Sequence, residues 1–378
     1  MKDIIYFDNA ATTCPKPVSV IELLNSAVLY SSGNPGRGSH ILSSRASDLV
    51  YGTRETAARF FNAQPGNVVF TLNATHALNY AIKGLARRGT HILIDNYAHN
   101  ASYRPALALE RCGFCTLDVY DASGTDEETA ENVRSLMRRP HTIVISTHQS
   151  NICPKVLPIR KIGEICSAAG ADFIVDASQS AGHIAVDLEA DHITSLCVPA
   201  HKGLYGIMGA GMLISAPTAH YKTLIEGGAG IASLEKTMPE MLPERLEAGT
   251  LALPAVAALK SGIDFVVRTG IGRIHSHETM LSSRFCGGIK NIPGAIIHGE
   301  SDGPVVSITV DGHTPAETGE YLNDHGICVR TGYHCAPLAH KTLGTLENGT
   351  VRFSFSCFNT VNEVNRALEV LESLCRAK

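Results

Sequence analysis

Several residues carry reactive groups in settings that favour chemistry. Lys202 sits in Ala200-His201-Lys202-Gly203-Leu204-Tyr205-Gly206, a glycine-rich stretch with few other charges. Most lysines are solvated surface groups, but one enclosed among glycine and apolar residues can lower its pKa and form a Schiff base. Asp176 ends the apolar run Asp172-Phe-Ile-Val-Asp176, 26 residues before Lys202. A carboxylate there is costly unless paired. It either joins a salt bridge or helix cap, or anchors a cationic group such as a protonated pyridine nitrogen. His99, in Asn96-Tyr-Ala-His99-Asn100, is a surface or capping histidine, or a ring that stacks on a planar ligand. Thr75, in Thr71-Leu-Asn-Ala-Thr75, precedes a helix expected to start near His76. It caps that helix, or it joins the helix dipole in holding an anion such as phosphate. Cys335 stands in Arg330-Thr-Gly-Tyr-His334-Cys335-Ala-Pro-Leu-Ala-His340. Positive charge from Arg330 and His334 would favour its thiolate. A metal site from His334, Cys335 and His340 has poor spacing and no CxxC companion, so no metal is expected.

The elements that must place these groups follow a rhythm. Short β-branched runs at 68–70, 91–95, 142–146 and 172–176 alternate with helical patterns at 74–85, 102–112, 125–137 and 159–169. Continuously apolar strands between helices predict an α/β fold with a mostly parallel sheet covered on both faces. Ligands then bind beyond the carboxyl ends of the strands, where these polar residues fall. A Gly/Pro-rich stretch, 226–254, breaks the rhythm, and the remainder mixes β-type runs with helices. The expected division is a large domain over 15–250 and a smaller α+β domain formed by 1–14 with 251–378.

Composition narrows the function classes. Lys and Arg total 32 and Asp and Glu 36, so the net charge of −4 offers no footprint for nucleic acid. No apolar run approaches membrane-spanning length and no signal peptide is evident, so a cytoplasmic protein is expected. Eleven cysteines, an odd count spread along 378 residues, fit a reducing compartment better than a disulfide framework. Cys112-Gly-Phe-Cys115 lies at a helix end leading into a strand and reads as structural, and the other eight besides Cys335 read as packing.

In order and spacing, these residues resemble the fold-type I pyridoxal-phosphate enzymes of aminotransferase class V. Within that group they look like the cysteine desulfurases and selenocysteine lyases, in the group II (SufS-like) branch. The resemblance runs from Tyr6-Phe-Asp-Asn-Ala-Ala-Thr12 through Asn34-Pro-Gly-Arg-Gly-Ser-His40, Asp176-Ala-Ser-Gln179, His201-Lys202 and Glu247-Ala-Gly-Thr250. It continues to Arg330–Pro337 and Val351–Thr360. It implies a large domain with a seven-stranded sheet, a smaller C-terminal domain, pyridoxal 5'-phosphate as cofactor and a homodimer. It also implies roles. Lys202 holds the cofactor and moves protons at the substrate α-carbon, and Asp176 pairs with the pyridinium nitrogen. Gln179 bonds the phenolic oxygen with Asn151 beside it, and His99 stacks on the ring. Thr75, with Ala74 next to it, and His201 take the phosphate. Arg352 clamps the substrate carboxylate, with Arg330 and Asn34 also on the substrate. Cys335 attacks the sulfur of L-cysteine, leaving alanine and a persulfide for a sulfur-acceptor protein.

The chain departs from the family pattern at three positions. Pro199 replaces a hydroxyl residue three before the lysine, Ala229 replaces a threonine in Gly227-Gly-Ala-Gly230, and Ala252 replaces an asparagine. Each lost neutral hydrogen bond is worth about 0.5–1.5 kcal/mol, and Arg37 or His40 are candidates to compensate. The alternatives are a selenocysteine lyase, another class V enzyme (transaminase, epimerase or β-lyase) in which Cys335 is incidental, and a degenerate non-catalytic homologue.

Overall fold

A computed structural model describes residues 4–36, 38–137, 141–299 and 303–376. Its centre is a seven-stranded sheet. In spatial order the strands are β2 (Val68–Thr71), β8 (Gly211–Ser215), β7 (Ser195–Pro199), β6 (Asp172–Asp176), β5 (Thr142–Thr147), β3 (Thr90–Asp95) and β4 (Cys115–Tyr120). The pairs from β7 through β4 are parallel, and β8 runs antiparallel to both its neighbours.

The strands read as continuous apolar runs because successive side chains serve two different cores. Phe70, Leu93, Val144, Phe173, Val175 and Leu196 point to one face. Val69, Ile92, Ile94, Ile143, Ile174 and Cys197 point to the other. The first core is closed by apolar residues of α2 (Ile41–Phe61), α6 (Ile159–Ala169) and α7 (Leu253–Thr269), the second by α3 (Ala74–Leu85) and α4 (Asn100–Arg111). α1 (Val18–Tyr30) packs against α7, and α5 (Asp126–Leu136) against α6 and β4. The strand–helix alternation is therefore the expected one. The sequence rhythm passes over β4, whose outer residues face solvent at the sheet edge, and over β7 and β8.

Beyond α8 (Ile271–Ile289) the chain forms a second, antiparallel sheet. Its order is β12 (Arg330–Gly332), β13 (Thr350–Ser354), β10 (Val305–Val310) and β9 (Ala295–His298). α9 (Pro315–Asp324) and α11 (Val361–Arg376) cover it with α8 around a separate core of Phe285, Ile289, Phe353, Val364 and Leu371. The N-terminal strand β1 (Ile5–Tyr6) pairs in parallel with β11 (Ile327–Cys328). A division at residue 250 puts α7 with the C-terminal part, yet Leu253, Val256, Leu259 and Ile263 of α7 lie in the core under the large sheet. α10 (Pro337–Thr342) follows the Cys335 loop.

Candidate active site

The carboxyl ends of β2, β3, β5, β6 and β7 open on one cleft. It is lined by Ala74, Thr75, His99, Asn151, Asp176, Gln179, His201 and Lys202, together with Asn73, Thr147, Gln149, Ser178 and Pro199. Eight of the residues singled out from the sequence are thus brought together by the ends of five strands.

Lys202 lies in the turn from β7 to β8, held by Tyr205 N to Lys202 O at 2.8 Å and Gly206 N to Ala200 O at 2.8 Å. Gly182 and Gly203 let this turn approach the loop after β6. A Cβ on Gly182, whose φ is +105°, would stand 2.0 Å from Gly203 O, and one on Gly203 would stand 2.3 Å from Ala181 O. From the other side the N-terminal segment ties down His201 O, which accepts from Thr13 N at 3.0 Å, Thr12 Oγ1 at 3.1 Å and Lys16 Nζ at 2.8 Å. Burial pulls Lys202 down to about 8. Arg352 and Arg330 add to the fall and Asp176 opposes it. About a tenth of the amine is therefore unprotonated at pH 7, far more than for a free lysine, and that is the form that attacks a carbonyl.

Asp176 is buried. Its Oδ1 accepts from Ser178 N at 3.0 Å, and among the described residues no hydrogen bond reaches its second oxygen. His99 caps α4, its Nδ1 accepting from Ala101 N at 3.0 Å. This bond places the proton of the neutral ring on Nε2. Burial first, then Lys202, push His99 down to about 4, against Asp176. Burial, Lys202 and Lys16 do the same to His201, also to about 4, and its buried Nδ1 has no hydrogen-bond partner.

The cap of α3 is Asn73, not Thr75: Asn73 Oδ1 accepts from His76 N at 2.9 Å and the helix starts at Ala74. The helix spans the expected 74–85, and it is the capping reading of Thr75 that is corrected. The Asn73 cap frees the Thr75 hydroxyl, which stands exposed in the first turn beside open backbone N–H groups. Gln179 Nε2 donates to Ala10 O at 3.1 Å. Asn151 donates from Nδ2 to His334 O at 2.7 Å, while its buried Oδ1 has no partner.

Arg352 is 1% exposed and already engaged. Nη2 pairs with Asp8 Oδ1 at 2.7 Å, Nη1 donates to Asn151 O at 3.0 Å, and among the described residues Nε has no partner. Arg330 stands opposite it in the β12–β13 register and, among the described residues, forms no ion pair. Asp8 and Lys16 are site-forming residues to which the sequence reading gave no role. The only sequence signal was that Asp8 falls inside the Tyr6–Thr12 motif.

Cys335 is exposed and lines an adjoining groove rather than the Lys202 cleft. The two spaces share the wall His99–Asn100, because Asn100 N donates to Cys335 O at 2.7 Å. His334 and Cys335 both occupy the left-handed region, with φ of 51° and 60°. The expectation that His334 adds positive charge to the thiol needs correcting. Its Nδ1 donates to Gly332 O at 2.7 Å, and burial, followed by Arg352 and His340, pushes the ring down to about 2. It is neutral at physiological pH and brings no positive charge to the thiol.

Asn34 is not in the cleft. It lines a separate cavity with Ala229, Gly230, Glu247 and Thr250. There Glu247, from the Glu-Ala-Gly-Thr motif, forms a buried bidentate pair with Arg54, with N···O distances of 2.8 and 2.5 Å, and accepts from Phe70 N at 2.6 Å. His40 caps α2 through Nδ1, and Arg37 lies outside the described residues. All eleven cysteines are free. Cys14 and Cys112 are exposed, so the packing assignment fails for Cys14. No helix is long and apolar enough to cross a membrane.

The donor set suits pyridoxal phosphate. The cleft offers a partly neutral amine for an aldehyde, a buried carboxylate with one open oxygen for a pyridinium, and an uncapped hydroxyl at a helix N-terminus for a phosphate. Asn151 and His201 line the same space, and among the described residues Asn151 Oδ1 and His201 Nδ1 are buried without a partner. Pro199 lines this cleft and contributes neither hydroxyl nor N–H.

Fold and cleft together define a class: a sheet covered on both faces that presents an amine, a carboxylate and an anion-binding helix end beyond its strands. The chain belongs to the aminotransferase class-V family, whose model matches residues 5–367. It is 31% identical to a probable cysteine desulfurase of Methanothermobacter thermautotrophicus, over 99% of this chain and 95% of that protein. A probable cysteine desulfurase of Pyrococcus abyssi is also 31% identical, over 100% and 95%. The solved apo structure of a cysteine desulfurase from Thermococcus onnurineus NA1 superposes with a TM-score of 0.92 at 32% identity, covering 100% of this chain and 96% of that one.

Proposed function

We propose that this chain is a pyridoxal-phosphate-dependent cysteine desulfurase, converting L-cysteine to L-alanine and carrying the sulfur on Cys335. One observation carries this reading. An exposed thiol sits on a loop bonded to Asn151 and to Asn100, the two positions that join it to the Lys202 cleft.

The cofactor, when bound, supplies an electron sink for the bonds of the substrate α-carbon. Lys202 would hold it, Asp176 would pair its ring nitrogen, and Thr75 with His201 would take its phosphate. His99 faces the same space as a neutral ring with its proton on Nε2. Lys202 is the base within the cleft whose pKa of about 8 suits taking and returning a proton near neutral pH. Arg330 has free donors for the substrate carboxylate. Arg352 backs it, fixed in place by Asp8. The Cys335 thiolate is a soft nucleophile matched to a sulfur electrophile, which a hydroxyl or carboxylate would not be. Attack forms a bond to the substrate sulfur as the Cβ–S bond breaks, and the carbon skeleton departs as alanine once protonated.

The molecule works as a homodimer in this reading. Val18, Leu29 and Tyr30 of α1, with Ile41 and the 99% exposed Leu234, form apolar surface that a second copy would cover. The test is Cys335→Ala supplied with pyridoxal phosphate and L-cysteine. Alanine release falls to background while cofactor absorbance is kept, and the parent protein shows a persulfide on Cys335 by mass spectrometry. Undiminished alanine release would sink the persulfide mechanism, and sedimentation as a monomer with full activity would sink the dimer. L-selenocysteine run in parallel distinguishes a lyase preference.

A further inference from the structure

The groove that holds Cys335 extends well beyond the thiol. It encloses about 1060 Å³ alongside α4. Six positions of α4 face it: 100, 103, 104, 107, 108 and 111, the spacing of a single helical face. At about 1.5 Å per residue that face runs roughly 16 Å from the Cys335 end. The opposite wall carries Tyr333 and Leu346, each 47% exposed. Across from them Tyr103 and Leu107 of α4 are half-buried, so the groove has an apolar floor and one open apolar wall, a surface that invites cover.

Its charge is one-sided. Arg104 and Arg111 line the groove, no Asp or Glu does, and among the described residues neither arginine makes an ion pair. Glu110, next to Arg111, turns away to accept from Leu117 N at 3.2 Å. This basic strip belongs to a chain whose net charge is −4. Neither arginine lines the Lys202 cleft, so the charge serves neither cofactor nor substrate.

Building on the desulfurase reading, we propose that this groove is the docking track of the sulfur-acceptor protein. Its occupant is an acidic segment that lies along α4 with its cysteine at the Cys335 end. The transfer balances without any other reagent. The acceptor thiolate attacks the outer sulfur of the Cys335 persulfide, a new S–S bond forms on the acceptor, and the old S–S bond breaks. The electron pair then leaves on Cys335 Sγ, which takes up the proton given by the acceptor thiol. Opposite charges steer such an encounter and raise its rate in a salt-dependent way.

The test uses the holoenzyme and three synthetic peptides of about 12 residues, matched to the length of α4. Each has one terminal cysteine and an acidic, neutral or basic body. Persulfide transfer is timed by mass spectrometry after loading with L-cysteine. At low ionic strength the acidic peptide accepts sulfur about tenfold faster than the neutral one and the basic peptide slower, and high salt erases the order. In the Arg104→Glu/Arg111→Glu protein the order reverses. Alanine turnover with dithiothreitol as a small neutral acceptor is unchanged, which shows the variant is folded and active. If the acidic peptide has no advantage, or keeps it after charge reversal, the docking track is wrong while the desulfurase reading stands. If Cys335 never carries a persulfide, both fall.

Discussion

Replacing Asn100 by proline removes one hydrogen-bond donor and puts the ring Cδ against the carbonyl that this donor holds. Asn100 is the first residue of α4, where proline is favoured because its missing N–H has no helical partner to lose. The preceding His99, at φ −73° and ψ 153°, already has the extended backbone that a following proline demands. The donor lost is the one that holds Cys335 O at 2.7 Å. That bond matters because the loop is near balance. Two consecutive left-handed residues cost about 1–2 kcal/mol each. Three anchors oppose them: Asn151 Nδ2 to His334 O, Asn100 N to Cys335 O, and His334 Nδ1 to Gly332 O, each at 2.7 Å. Each is worth about 0.5–1.5 kcal/mol. Losing one should lower the population of the aimed loop by roughly 2- to 13-fold at the least, the same energy written as a ratio, and the ring's contact with Cys335 O adds to that loss. We expect kcat for alanine formation to fall by that factor, with cofactor absorbance and Tm essentially unchanged. Asn100→Ala loses the same side chain but keeps the N–H, and should behave as the parent. If Asn100→Pro retains full kcat with full cofactor, the anchor does not aim the thiol. If Asn100→Ala is equally impaired, the side chain and not the N–H is responsible.

The Arg54–Glu247 pair is expected to be structural. Arg54→Met leaves Glu247, whose carboxyl burial already raises, without its counter-charge, and should cost about 3–5 kcal/mol in urea unfolding. Arg54→Met/Glu247→Gln should cost less, and a single-variant loss below about 1 kcal/mol would show that the pair is not what holds α2 to this segment. His148 is one of several buried rings that contribute to acid sensitivity. Burial pushes His148 down to about 4, with Asp191 opposing. Its folded pKa is depressed, so the unfolded chain binds the proton first, and the stability present above about pH 6.5 is lost as pH falls. Between pH 8 and 5.5 the parent should lose on the order of 1 kcal/mol more than His148→Asn. Equal losses in the two proteins would mean that His148 is not kept neutral by the fold.

The large sheet was legible because strands buried on both faces leave unbroken apolar runs, as at Thr142–Thr147, and the helices between them have their own period. β4 was not, since only Cys115 and Tyr120 of its six residues are buried. Lys202, Asp176, His99 and Thr75 could be named because polar residues directly after buried strands have few roles open to them. The role of Asn73 was hidden because Asn and Thr both serve as N-caps, and only backbone geometry shows which oxygen reaches the N–H of His76.

By itself, the sequence determined the family, the sheet and the identity of the groups at its carboxyl ends, since these depend on local pattern and motif order. The tertiary structure alone decided which groups are charged and which are free. His334 reads as a cation beside Cys335, but burial next to Arg352 makes it neutral. Arg352 reads as a free clamp but is held by Asp8, 344 residues away. Glu247 reads as part of a site motif but is spent on Arg54. Cys335 reads as a cleft residue but stands in its own groove, joined to the cleft through Asn100 and Asn151. Protonation and pairing depend on neighbours brought together from distant parts of the chain, and no spacing along the sequence records them.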